Sequence, residues 1–251
     1  MEKADKILKL ANAPLREVIF EVRWELDIAP NLNQPIDINF DTAIGMMFSN
    51  VREEFPIKKS KFPAEIIPPH ILLPYQTIYQ YWAAENKWPV IQLGPGIFTV
   101  NEIGKNYIWD ENYFPLIKKG IDWLNKSYNN QELKFNFVSL RYIDNIKTNN
   151  YKFKDLVSFI NENLNFEFNY NFDTLGKLKQ LRFNQNFELE DGSEMQFVIS
   201  NNKDILIWET AISKSAFFNI EDLIKWLIQN HKITSDLFIK ICKKELYDSF
   251  K

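Results

Sequence analysis

The stretch Ala13–Leu26, APLREVIFEVRWEL, decides the fold. Val18, Phe20, Val22, Trp24 and Leu26 alternate with Ile19, Glu21, Arg23 and Glu25. Alternation at period two sends the first set to one face of a sheet and the second to the other. The first set is aromatic and β-branched, so it belongs on a core. The second is charged and belongs against water, a loop or a ligand. Pro14 has no N–H to give a ladder, so the strand starts after it.

Asn136–Ile143, NFVSLRYI, repeats the scheme 118 positions on, Arg141 standing where Arg23 stood. Val138, Leu140 and Tyr142 fall in phase with Phe20, Val22 and Trp24, and Ser139 with Glu21. Each copy is followed by a polar connection, an amphipathic helix, several strands and a closing helix. The expectation is an α+β fold built from pseudo-duplicated β-α-β-β-β-α halves, residues 1–130 and 131–251, as one compact unit. The halves would share a curved antiparallel sheet with helices packed on one face. That element order resembles the layout of saddle-shaped TATA-binding-type folds, which fixes no function.

In the first half, Asp41 is the expected N-cap of a helix carrying Ile44, Met47, Phe48, Val51 and Phe55, ended by Pro56. Residues 56–75 hold five of the eleven prolines and read as an insertion or edge element, barred from the sheet centre. Thr77–Glu85 and the flanks of Gly94-Pro95-Gly96 read as strands, the latter two as a hairpin. Lys105–Asp110 reads as a short strand, and Asn112–Tyr128 as a helix with Pro115 in its first turn. In the second half, Lys152–Leu164 is an expected helix. Leu178–Glu190 and Glu194–Ser200 form a hairpin around Asp191-Gly192, and Asp204–Ala211 is a further strand. Asn219 caps a helix to Asn230, and Thr234 or Ser235 caps another.

A chain of 251 residues, 45% hydrophobic and 15% aromatic, buries a substantial core and is not disordered. With 30 basic and 33 acidic residues the net charge is −3, which gives no global pull toward nucleic acid or anionic lipid. The N-terminal residues MEKADKILKL lack an apolar signal core, and no apolar run approaches a bilayer span. The expectation is a cytoplasmic protein with no membrane partner.

Chemistry is scarce. Cys242 is the sole cysteine, read as a buried thiol. His70 and His231 lack metal-ligand spacing, and His231 reads as a cation at a helix end. The sequence has no Walker, GxSxG or dinucleotide fingerprint, so no cofactor, no metal and no catalytic residue is expected. Carboxylate pairs Glu21/Glu25 and Glu188/Glu190 could hold a cation only if a third acid converged on them.

One surface merits testing. Arg23, Arg141 and Arg182 are expected on the face opposite the core, joined by Glu21, Ser139, Asn184, Asn186 and Glu188. Arginine's forked donors suit carboxylate and phosphate. Such a face could take an anionic ligand, an acidic peptide or a nucleic-acid backbone; the plain alternative is cross-strand Arg–Glu pairing.

The runs NAPLREVIFEVRW and QLGPGIFTVNEIGKNYIW, with the closing His231…Phe238…Glu245 pattern, resemble a sporadically distributed family of uncharacterised bacterial proteins of about this length. The resemblance carries over no catalytic residues. It implies a mobile or defence-island gene, hence an accessory partner in bacterial defence or toxin control. A protein partner is therefore the first expectation, with homo-oligomerisation open. A nucleic-acid binder using the sheet face, or a metal-dependent hydrolase or nuclease, are the alternatives.

Overall fold

β1 (Leu15–Trp24) runs through the middle of a nine-stranded antiparallel sheet in a computed structural model. The structure describes residues 10–29, 33–62, 74–129, 133–151, 155–168 and 178–251. The first half continues with a two-strand ribbon, β2 (Asp27–Ile28) and β3 (Pro35–Ile36), and α1 (Phe40–Val51). Next come β4 (Ile57–Ser60), β5 (Tyr79–Ala84), β6 (Lys87–Gly94), β7 (Ile97–Glu102) and α2 (Phe114–Ser127). The second half runs β8 (Phe135–Lys147), α3 (Leu156–Asn163), β9 (Arg182–Glu188), β10 (Glu194–Asn202), β11 (Ile205–Lys214), α4 (Ile220–Ile241) and α5 (Lys244–Ser249).

The sheet order is β4-β5-β6-β7-β1-β8-β11-β10-β9. In each half the last strand returns beside the first. β1 and β8 pair with each other at the centre, Phe20 opposite Leu140, Glu21 opposite Ser139 and Val22 opposite Val138. From Val18 to Trp24 the even-numbered residues of β1 are buried and the odd ones half-exposed, as the alternation demands, while Arg16 is exposed. Val18, Phe20, Val22 and Trp24 share a core with Met47 of α1, Ile117 and Ile121 of α2, and Leu223 and Trp226 of α4. A second cluster joins Phe159 and Ile160 of α3 to Trp208, Phe197 and Leu246. Both clusters lie on the same side of the sheet, because Trp208, Phe197 and Ile146 continue the phase of Leu140 through the pairing.

Glycine is required where the β6–β7 hairpin turns. Gly96 has φ +72°, and a Cβ on Gly94 would stand 1.8 Å from the Gln76 carbonyl oxygen. The prolines at 56–75 begin beside β4, an edge strand; residues 63–73 lie outside the described residues.

Three local expectations give way. Residues 104–106 form a turn and Trp109–Tyr113 a π-helical turn leading into α2, instead of a strand over Lys105–Asp110. The Asn112 amide ties this bend down, donating to the Asn106 carbonyl and accepting from the Ile108 N–H. α4 is one helix through residues 230–234, not two. The Thr234 hydroxyl, expected to cap a new helix, donates back to the Asn230 and His231 carbonyls instead. Asp41 lies inside the first turn of α1, which starts after Asn39. Among the described residues no helix is long and apolar enough to cross a membrane.

Candidate functional site

Pairing places Glu21, Arg23, Ser139 and Arg141 on one face of the two central strands, opposite the core. Arg182, Asn184, Asn186 and Glu188 occupy the same face of β9, at the sheet edge, paired in turn with Ser200, Val198, Gln196 and Glu194. Counted in register, Arg23 and Arg141 are four rows apart, about 14 Å, and Arg182 is about 20 Å from Arg141. Each central guanidinium has its own carboxylate. Arg23 Nε donates to Glu21 Oε1 at 2.7 Å while the group lies 4.5 Å from the Phe137 ring centre. Arg141 Nε is 3.4 Å from Glu209 Oε1 on β11. Arg182 makes no ion pair among the described residues.

The face differs along its length. Over β6 and β7 it is closed: Val90, Gln92, Thr99 and Asn101 are buried. A hydrogen-bonded ladder runs there, Lys61 Nζ to Gln92, Gln92 to Asn101, and Asn101 to Glu17. Desolvation lowers the Lys61 pKa. From β1 outward to β9 the face is more open, although Ser139, Ala211 and Val198 within it are buried. Ile19, Phe137, Ile143 and Ile207 are half-exposed between the ion pairs.

On the helix side the structure assembles a polar group that sequence spacing did not reveal. Tyr142 and Asp144 of β8 occupy core-phase positions, between Leu140 and Ile146. The Tyr142 hydroxyl lies 3.1 Å from the Tyr107 hydroxyl and 2.9 Å from His231 Nδ1. The Trp109 indole stacks on the His231 ring, centroids 3.8 Å apart at 12°. His231 Nε2 is buried without a hydrogen-bond partner among the described residues. Burial lowers the His231 pKa to about 4, so it is a neutral core histidine, and the reading as a helix-end cation is corrected. Burial likewise raises Asp144 to about 7, and among the described residues its carboxyl makes no hydrogen bond or ion pair. Cys242 is buried and pushed up to about 12 by desolvation, an inert thiol.

Tyr107, Trp109, Tyr142, Asp144 and His231 line a half-open cavity of about 190 Å³. Its floor is Tyr142, Asp144 and Thr210; one wall is His231, Thr234 and Phe238 of α4; another is Tyr107 and Trp109. Leu10, Pro14 and Leu15 close a third side. The one sequence signal for it is an acid in a buried phase of a strand. Among the described residues, no three His, Cys, Asp or Glu side chains gather as a metal-binding group.

Compared with known proteins, the chain matches no family model, and none of the curated proteins is significantly similar to it in sequence.

Proposed function

We propose that this chain is a non-catalytic recognition protein that binds a protein partner on the open part of its sheet, from β1 across β8 and β11 toward β9. The carrying observation is the make-up of that surface: half-exposed Ile19, Phe137, Ile143 and Ile207 set among the pairs Arg23–Glu21 and Arg141–Glu209. Apolar side chains framed by hydrogen-bonding charges suit a protein surface carrying its own acids and bases. A phosphate backbone is the weaker fit, because Arg23 and Arg141 would first have to leave their carboxylates. A metal-dependent hydrolase has no acid cluster to draw on among the described residues.

The same reading takes the two halves as products of a duplication. β1 and β8 pair symmetrically about Glu21 and Ser139, the positions that coincide when the two sequences are laid over each other. The site set is then Glu21, Arg23, Ser139 and Arg141 at the seam, with Arg182, Asn184 and Glu188 at its margin. A defence or toxin-control setting is what the family resemblance adds to this proposal.

The test is affinity purification from the native host with the natural promoter. A stoichiometric protein partner should survive nuclease treatment and 0.5 M salt, on the order of what screens surface charge. It should be lost with the double change Phe137→Glu and Arg141→Glu in a chain whose circular dichroism is unaltered. A partner retained by the double variant, or a bound species removed by nuclease, overturns the reading.

A further inference from the structure

On the other side of β8 from this surface, we infer that the cavity between β8, α4 and the Trp109 turn is a binding site for a compact organic cation, an amine or amidine on a small apolar body. The inference does not depend on the partner surface. It starts from size. About 190 Å³ is below the range of drug-sized pockets, about 300–1,000 Å³. The enclosed part takes a small group.

The sign of the charge follows from the lining. Among the described residues that line the cavity, the carboxyl-bearing ones are Asp144 on the floor and Asp110 at the rim, and none is a lysine or arginine. The other titratable walls are Tyr107, Tyr142, Tyr247 and His231. Burial keeps the histidine neutral, and the hydroxyls of Tyr107 and Tyr142 already satisfy each other and His231 Nδ1. Lys251, which lies 5.0 Å from the Tyr247 ring centre, is exposed and hydrogen-bonded to Asp248. Asp144 is thus a buried acid, 5% exposed, with no hydrogen bond or ion pair among the described residues. A buried carboxyl without partners is costly in either state and asks for a donor.

The shape of the ligand follows from the remaining walls. Tyr107, Tyr142 and Phe238 present aromatic surface, which attracts a cation and packs an apolar body equally well, while Trp109, stacked between His231 and Phe114, offers its edge. A ligand ammonium against Asp144 would favour its ionised form, so binding near neutral pH releases a proton to solvent.

Calorimetric titration of the intact chain with benzylamine tests this, with benzyl alcohol and phenylacetate as neutral and anionic comparators. One equivalent of benzylamine should bind saturably, at least tenfold tighter than either comparator. Repetition at pH 6.5 in buffers of different ionisation enthalpy should reveal proton release. Asp144→Asn should weaken benzylamine at least tenfold, abolish the proton release and leave benzyl alcohol unchanged. If benzylamine gives no saturable heat, if the three probes bind alike, or if the amine binds Asp144→Asn as well as the parent, the assignment falls. The comparator series on the parent chain decides the matter even if the variant does not fold.

Discussion

Asp144 is a residue whose placement costs the fold stability. Its carboxyl belongs near 3.8 in the unfolded chain and near 7 in the folded one, because burial penalises its charge. The folded state therefore holds a proton that the unfolded state has lost across that window. Stability is full below about pH 4 and declines as pH rises toward 7. At about 1.4 kcal/mol for each pH unit of that window, the loss above neutrality is about 4 kcal/mol. His231 acts in the opposite sense: held neutral with a pKa near 4, it removes stability as pH falls below 6.5. The raw pH curve mixes the two, but the difference between parent and Asp144→Asn isolates the carboxyl. Denaturant titrations should find the variant gaining about 4 kcal/mol on the parent between pH 4 and pH 8. A difference that ignores pH would mean that Asp144 is solvated. The same residue marks the limit of what sequence patterning reveals. Period two places Val138, Leu140 and Tyr142 on the core face, but the apolar pattern carries the strand only to Ile143, one short of the acid. The strand in fact continues to Lys147.

At the scale of elements, α4 shows how tertiary burial overrides a cap signal. Thr234 and Ser235 follow Asn230 and His231, a polar interruption that reads as a gap between two helices. Asn230, His231 and Thr234 are instead buried, and the helix runs unbroken from Ile220 to Ile241. Nothing between them forces a break: the stretch has neither glycine nor proline. Ser235→Pro separates the two pictures. At the first turn of a new helix proline would be tolerated. In the middle of α4 it removes the hydrogen bond to the His231 carbonyl and crowds it, at a cost of about 3 kcal/mol or more. A variant with an unchanged urea midpoint would reinstate the two-helix description. The cavity explains why this element is hard to read. Its walls come from residues 10–15, 104–110, 142–144 and 231–239 with Thr210 and Tyr247, six places in the chain that only the fold brings together. By contrast, the β6–β7 hairpin is legible because Pro95-Gly96 specifies its turn locally.

At the scale of the whole molecule, the two halves meet along β1 and β8, and the joint is structural on the helix side of the sheet. Residues from both sides of position 130 fill one core: Val18, Phe20 and Met47 with Val138, Leu140, Leu223 and Trp226. The Tyr107 hydroxyl meets that of Tyr142 across the same joint, and Trp109 stacks on His231. Separating the halves would expose two edge strands whose inner faces are fully buried, Phe20 and Val22 on one, Val138 and Leu140 on the other. It would also leave the amphipathic helices facing water. A fragment of 130 residues has little spare stability to absorb such a loss, since domains of that size are stable by only about 5–15 kcal/mol. Fully burying one such side chain contributes about 1.5–3 kcal/mol. Residues 1–130 and 131–251 expressed apart should therefore lack cooperative thermal transitions and bind a hydrophobic dye. Mixed at equal concentration, they should regain the transition of the intact chain, because the β1–β8 ladder needs no covalent link to form. A sigmoidal melt from either fragment alone would show that each half carries a core of its own, and the joint would then be a domain interface inside the chain.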